Sequence, residues 1–210
     1  MKAVIFDVDG TLIKIRKELF FEAFKFIRNE LGYGDCSTEN IERFIQGDKE
    51  MSRNVMIERV FGFNHDNFAE LFKSYMSDFE KVKRFKSLYP DVKFVLDELR
   101  RGKVIMGAVT DAPPFIAIPQ RNYFLGNGYF SEFVITYKSD LRDKPAPDGL
   151  LYCMKQLGVE EAVFVGDSDS DIIAAQSAGI PAIWIDRGEH EIHTEPNRRI
   201  KTCMNYYDNK

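Results

Sequence analysis

The chain has little cysteine, and what it has is badly placed for cross-linking. Cys36, Cys153 and Cys203 are odd in number and far apart, so they make neither a disulfide framework nor a metal-binding spacing. Reduced thiols in the cytoplasm are the expectation. A charged-then-apolar leader is missing ahead of the first strand signal, and no apolar run approaches the length that crosses a bilayer. A soluble chain without a membrane partner is therefore expected. Positive charge is not in excess either: 29 basic against 33 acidic side chains leave a net charge of −4, which argues against nucleic acid as a partner. Repeats and low-complexity segments are absent. What the chain does have is material for a core. Of its 210 residues, 44% are hydrophobic, enough for one large domain or a domain carrying a smaller insert.

The stretch Phe6-Asp7-Val8-Asp9-Gly10-Thr11 organises the rest. It follows Lys2 to Phe6, a short apolar run that reads as a buried strand. In extended backbone, residues two apart point the same way, so Asp7 and Asp9 are expected to face one spot. Two adjacent anions are costly unless a cation or a proton offsets them. Taken alone, Asp9-Gly10 is also an ordinary turn pair.

Residues 13–86 read as helices only. Ile15, Leu19, Ala23, Ile27 and Leu31 form one helical stripe, and Phe68 to Phe79 contains another. From Pro90 onward, strand and helix alternate. The strands are predicted at Val104 to Val109, Phe133 to Thr136, Ala162 to Val165 and, last, Pro181 to Ile185. A helix is predicted from Pro114 to Leu125, another from Pro147 to Leu157 and a third from Ile172 to Ala178. Such alternation implies an α/β fold: a Rossmann-like parallel sheet with helices on both faces, plus a small all-helical cap domain. The expected division is a core of residues 1–12 and 87–210 and a cap of residues 13–86. Ligands bind beyond the carboxyl ends of strands in such sheets. Asp7, Thr110 and Asp167 each follow a predicted strand, so they are expected to share one site. Beyond Arg187 the tail is polar, with Ile200 to Tyr207 as a candidate docking segment.

Gly166-Asp167-Ser168-Asp169-Ser170-Asp171 is a second acidic cluster. A calcium loop of that spacing needs Gly at 172 and Glu at 178, where this chain has Ile172 and Ala178. A helix N-terminus accounts for Asp169, though not for three carboxylates after an apolar strand. If Asp7, Asp9, Asp167 and Asp171 converge, they offer an all-oxygen, strongly anionic set that suits Mg²⁺ and, through it, a phosphorylated substrate. Lys144, between Asp143 and Pro145, is the candidate cation for a phosphoryl group; alone it would read as a solvated loop lysine. Thr110 offers a hydroxyl and Asp111 a backbone N–H; alone, Thr110 is an ordinary strand-end residue.

Together these pieces resemble the haloacid dehalogenase-like hydrolases, in the subgroup with a helical cap after the first strand. The motifs are Asp7-Val8-Asp9-Gly10-Thr11, Thr110, Lys144-Pro145, and Gly166-Asp167 through Asp171. The resemblance spans roughly residues 2 to 186. It implies a phosphatase acting through an aspartyl-phosphate on Asp7, with Asp9 as general acid and base. It implies Asp7, the Asp9 backbone carbonyl and Asp167 as metal ligands. Asp171 would hold metal-bound water or support Lys144, and Thr110 and Lys144 would grip the phosphoryl group. Asp111 departs from the usual Asn or Ser, as Lys14 and Arg16 do from the usual Asp-Ser.

Asp9 favours phosphoryl transfer over dehalogenation. A hexose-phosphate mutase of the same family remains an alternative. A phospho-acceptor signalling domain is a further one, disfavoured by a nucleophile at position 7 and by the size of the cap. Lys49 and Arg53 are the cap cations expected at an anionic part of the leaving group, unless they are simply solvated. The expected partner is a small phosphorylated molecule, and the protein is expected to act as a monomer or homodimer.

Overall fold

The computed structural model describes residues 2–34, 36–46, 53–137, 139–189 and 191–204. In chain order the first elements are β1 (Lys2–Phe6), β2 (Ile13–Ile15), α1 (Glu18–Leu31), α2 (Thr38–Gln46), α3 (Arg53–Arg59), α4 (His65–Ser77), α5 (Phe79–Val82) and β3 (Lys86–Leu88). Then come α6 (Val92–Arg101), β4 (Ile105–Thr110), α7 (Pro114–Gly126), β5 (Glu132–Ile135), α8 (Asp148–Leu157), β6 (Glu161–Gly166), α9 (Asp169–Ser177), β7 (Ala182–Ile185) and β8 (Arg198–Ile200). The chain divides into two compact units, Met1–Lys14 with Leu88–Lys210, and Ile15–Ser87.

The larger unit is built on a six-stranded sheet in the order β5-β4-β1-β6-β7-β8, with every pairing parallel. Its strands are short apolar runs because both faces are covered. On one face Ala3, Ile5, Val109 and Phe164 pack with Leu150 and Cys153 of α8 and Ile172 and Ala175 of α9. On the other, Phe6 stacks on Phe130 at 6.0 Å, and Phe130 on Phe124 of α7 at 4.9 Å. β1 lies between β4 and β6, with Phe6 level with Ala108 and Val165. Connections leave the ends of these three strands in different directions, which opens a crevice there.

Between β2 and β3 the smaller unit is helical among its described residues. Its core is aromatic: the Phe24 ring lies 5.2 Å from Phe44, 4.6 Å from Phe61 and 5.3 Å from Phe68. Gly32 ends α1 in the left-handed conformation, as a C-terminal glycine should. Ser37 Oγ accepts from the Asn40 N–H at the start of α2, and Asn64 caps α4.

Several sequence expectations need correction. Ile15 belongs to β2 and not to the first helix; β2 and β3 pair as a separate two-stranded ribbon at the two ends of residues 13–86. Three-residue strands are too short to display alternation. Asp78 interrupts the stripe that ends in Phe79, separating α4 from α5. α9 begins at Asp169, earlier than its apolar residues suggest, because Ser168 and Asp171 form a capping box. The sheet does not end at Ile185: β8 adds a sixth strand from the polar tail. Residues 205–207 of the candidate docking segment lie outside the described residues. Among the described residues no helix is long and apolar enough to cross a membrane.

Candidate active site

Three adjacent strand ends deliver the acidic and hydroxyl groups. Asp7 follows β1, and its N–H donates to the Val165 carbonyl at 2.8 Å, so the end of β1 is locked to β6. Asp167 follows β6 and Thr110 closes β4. One carboxylate oxygen each from Asp7, Asp167 and Asp171 lies within 4.8 Å of the others, and all three residues are buried.

Glycine makes this convergence possible at two points. Gly10 has φ +87°, and a Cβ there would collide with the Asp167 carboxylate. A Cβ on Gly166 would collide with the Asp171 carboxyl. Both acids occupy the space that a side chain would take.

Lys144 is the counter-charge. Its Nζ lies 2.6 Å from Asp7 Oδ1 and 2.6 Å from Asp171 Oδ1, with Asp111 Oδ2 at 3.9 Å. Its side chain is only 6% exposed, so these contacts are not exchanged with water. The loop before α8 presents it: α8 starts at Asp148, leaving Lys144 outside the helix, as Pro145 directly after it favours. Burial pushes the Lys144 ammonium down, but Asp171, Asp7 and Asp111 together outweigh it and hold it well above the ordinary lysine range. Burial pushes the Asp7 carboxyl well above its ordinary range; Lys144 opposes that shift, while Asp171 and Asp167 reinforce it. Burial, then repulsion from Asp171, carries Asp167 up to about 7.

That electrostatic picture fits a divalent cation. Three buried carboxylates share one ammonium, all donors are oxygen, and the group gains most from more positive charge. Asp7, Asp167 and Asp171 are the carboxylates that could hold it. Asp171 is also engaged by the protein: its Oδ2 accepts from Ser168 Oγ at 2.6 Å and from the backbone N–H groups of Ser168 and Asp167, while Oδ1 faces Lys144.

The Asp9 carboxylate does not join this group. It accepts from Gln120 Nε2 at 2.5 Å instead. β1 ends at Phe6 and Asp9 forms an isolated bridge with Ile13. The two-residue alternation of a strand therefore does not by itself place the Asp9 side chain. Thr110 Oγ1 accepts from the Ala112 N–H at 3.1 Å, which shapes the turn after β4. Asp111, the unusual residue, is tied back: its Oδ1 accepts from Thr136 Oγ1 at 2.7 Å and from the Lys144 N–H at 3.3 Å. Lys49 is outside the described residues. Arg53 opens α3 in the smaller unit.

These motifs now have a setting that can be compared with known proteins. The family model of the haloacid dehalogenase-like hydrolases matches residues 4–185. The chain belongs to that family. A phosphoglycolate phosphatase from Photorhabdus laumondii is 30% identical to this hydrolase over 198 residues, covering 90% of this chain and 81% of the relative. The crystal structure of a HAD phosphatase from Thermococcus onnurineus aligns with a TM-score of 0.67 at 26% identity, covering 99% of this chain and 97% of that one. A HAD-superfamily hydrolase from Geobacter sulfurreducens PCA has a TM-score of 0.74 at 21% identity, covering 99% and 95%, a likeness of fold alone. Within the family this enzyme stands with the phosphatases.

Sequence reasoning missed several residues that hold the site of this hydrolase. Thr11 Oγ1 donates to Asp167 Oδ1 at 3.0 Å, and Trp184 Nε1 donates to the Asp167 carbonyl at 3.0 Å. Thr11 stands in the first motif and could have been found there. The chain's single tryptophan carries no local signal, because its partner is 17 residues away. Gln120 opens the polar run Gln120-Arg121-Asn122 of α7, and nothing in the sequence sets it apart from its neighbours.

Proposed function

We propose that this phosphatase hydrolyses a small phosphorylated metabolite through an aspartyl-phosphate on Asp7, with Mg²⁺ as cofactor. A carboxylate oxygen of Asp7 attacks phosphorus, and the bond to the leaving oxygen breaks. Asp9 protonates that oxygen, then takes a proton from the water that cleaves the acyl phosphate. Lys144, Thr110 and the Asp111 N–H hold the oxygens of the transferred group. Asp7, the Asp9 carbonyl and Asp167 would hold the cation, and Asp171 keeps Lys144 in register. When bound, the cation neutralises charge on the phosphoryl oxygens.

The observation that carries this reading is Lys144 at 2.6 Å from both Asp7 and Asp171, beside the buried Asp167. A preorganised ammonium next to a nucleophilic carboxylate stabilises charge on a phosphoryl group without reorganisation. The relatives' shared substrate makes phosphoglycolate the first metabolite to assay. Turnover of p-nitrophenyl phosphate with Mg²⁺, its loss with EDTA, and its loss in Asp7→Asn are expected. Stable phosphorylation without phosphate release would sink the enzymatic reading. Isomerisation of hexose phosphates that depends on a bisphosphate primer would favour a mutase over a hydrolase.

Lys49 and Arg53 complete the proposal as contacts to an anionic leaving group; unchanged kinetics in Lys49→Ala and Arg53→Ala would remove them from it. The free thiols support a reducing, cytoplasmic setting: Cys153 and Cys203 are buried and pushed up to about 12 by that burial.

A further inference from the structure

The inward face of α7 carries Ala117, Gln120 and Phe124, three and four residues apart. An apolar side chain satisfies such a position. A buried amide there costs stability unless its polar atoms are all met. Gln120 incurs that cost: it is 6% exposed, and among the described residues its Oε1 has no hydrogen-bond partner. Its Nε2 reaches Asp9 Oδ1 at 2.5 Å. Against an ionised carboxylate the opposite amide orientation would set two acceptors against each other, so the donor faces it.

From this we infer that Gln120 is a positioning residue that fixes the rotation of the Asp9 carboxyl group. The inference rests on the acid–base reading of Asp9 given above. An amide N–H can only donate. It therefore holds Oδ1 as an acceptor. The bond spans from α7 to the first motif, residues 111 apart in sequence, and so fixes the rotation of the carboxyl group. Small misplacements of a proton donor cost rate steeply.

The test uses leaving groups that differ in their need for a proton. Steady-state kcat/KM reports phosphoryl transfer up to its first irreversible step. Gln120→Met keeps the size and removes the donor; it should lower kcat/KM for an alkyl phosphate such as phosphoglycolate by about tenfold to a hundredfold, a fraction of the full general-acid effect. For p-nitrophenyl phosphate, whose leaving group needs no proton, the loss should stay within about threefold. Gln120→Asn, whose amide falls short of Asp9, should show the same pattern and guards against a folding defect in the first variant. Asp9→Asn is the reference for selective loss. If Asp9→Asn is selective while both Gln120 variants are not, the positioning role is overturned and the reading of Asp9 stands. If Asp9→Asn itself lacks selectivity, the acid–base reading fails and takes this inference with it.

Discussion

Arg187→Ala should cost about 3–5 kcal/mol of folding stability, the usual result of stranding one member of a buried ion pair. Arg187 and Asp91 have side chains only 6% and 9% exposed, and Nη1 of the arginine lies 2.9 and 3.1 Å from the two Asp91 oxygens. Its Nη2 donates to the Thr11 carbonyl at 2.8 Å, and the guanidinium sits 4.0 Å from the centre of the Tyr89 ring. Truncation leaves the Asp91 carboxylate with the Cys203 N–H, at 2.6 Å, as its remaining described donor. The stranded charge dominates; the lost carbonyl bond adds about 1 kcal/mol and the ring contact a similar amount, though contacts in one network do not sum. Urea unfolding followed by circular dichroism measures this as a lowered midpoint at unchanged slope. Arg187→Met combined with Asp91→Leu removes both charges and should recover at least half of the loss. A single-variant cost below about 1 kcal/mol would mean that the pair behaves as a solvated surface bridge, and the reasoning would fail.

Three further outcomes can be checked. In EDTA, stability should fall as pH rises from about 4 to about 7. Asp167 is raised to about 7 in the folded state, against about 3.9 unfolded, so over that window the folded state binds more protons. Mg²⁺ should flatten the slope by binding the ionised form, and a metal-free curve that is level or rising would refute the electrostatic picture. Gly10→Ala should destabilise by more than about 1 kcal/mol and remove most activity, because its φ of +87° and the Asp167 carboxylate both exclude a methyl group; wild-type kinetics would contradict it. Asp111→Asn should leave stability unchanged or raise it by up to about 1 kcal/mol, and should lower KM for an anionic substrate. The Thr136 hydroxyl has one proton but lies 2.7 Å from both Asp111 Oδ1 and Asp143 Oδ1, and an amide at position 111 supplies a second donor. A raised KM would show that the negative charge is used.

The large unit was readable from the sequence because its signals are local. β1, β4, β6 and β7 are apolar runs that need only themselves to be seen; Asp7 and Asp167 stand directly after two of them and Thr110 closes a third. Lys144 was found by its prolines. What was not readable depends on distant partners or on very short segments. β8 takes its identity from β7, since Arg198 and Arg199 have no strand character of their own. Ile15 has the spacing of a helical residue and sits in a strand because Phe85 supplies the backbone partner of its neighbour Arg16. The Asp9 side chain accepts from Gln120, a partner that no spacing rule connects to it. The capping box at Ser168 was visible in the residues, yet the apolar pattern of α9 drew attention three residues too late.

The strand order also bears on how the protein is made. β1 leaves the ribosome first, can pair on one side once residues 105–110 have emerged, and must wait for residues 161–166 on the other. Until then it presents a bare hydrogen-bonding edge of four buried-type residues, a template for unwanted pairing between nascent chains. A chain cut short before residue 167 keeps Asp7 but has neither Asp167 nor Asp171. Such a product is both inert and prone to clump, so premature termination and toxicity should travel together in this enzyme.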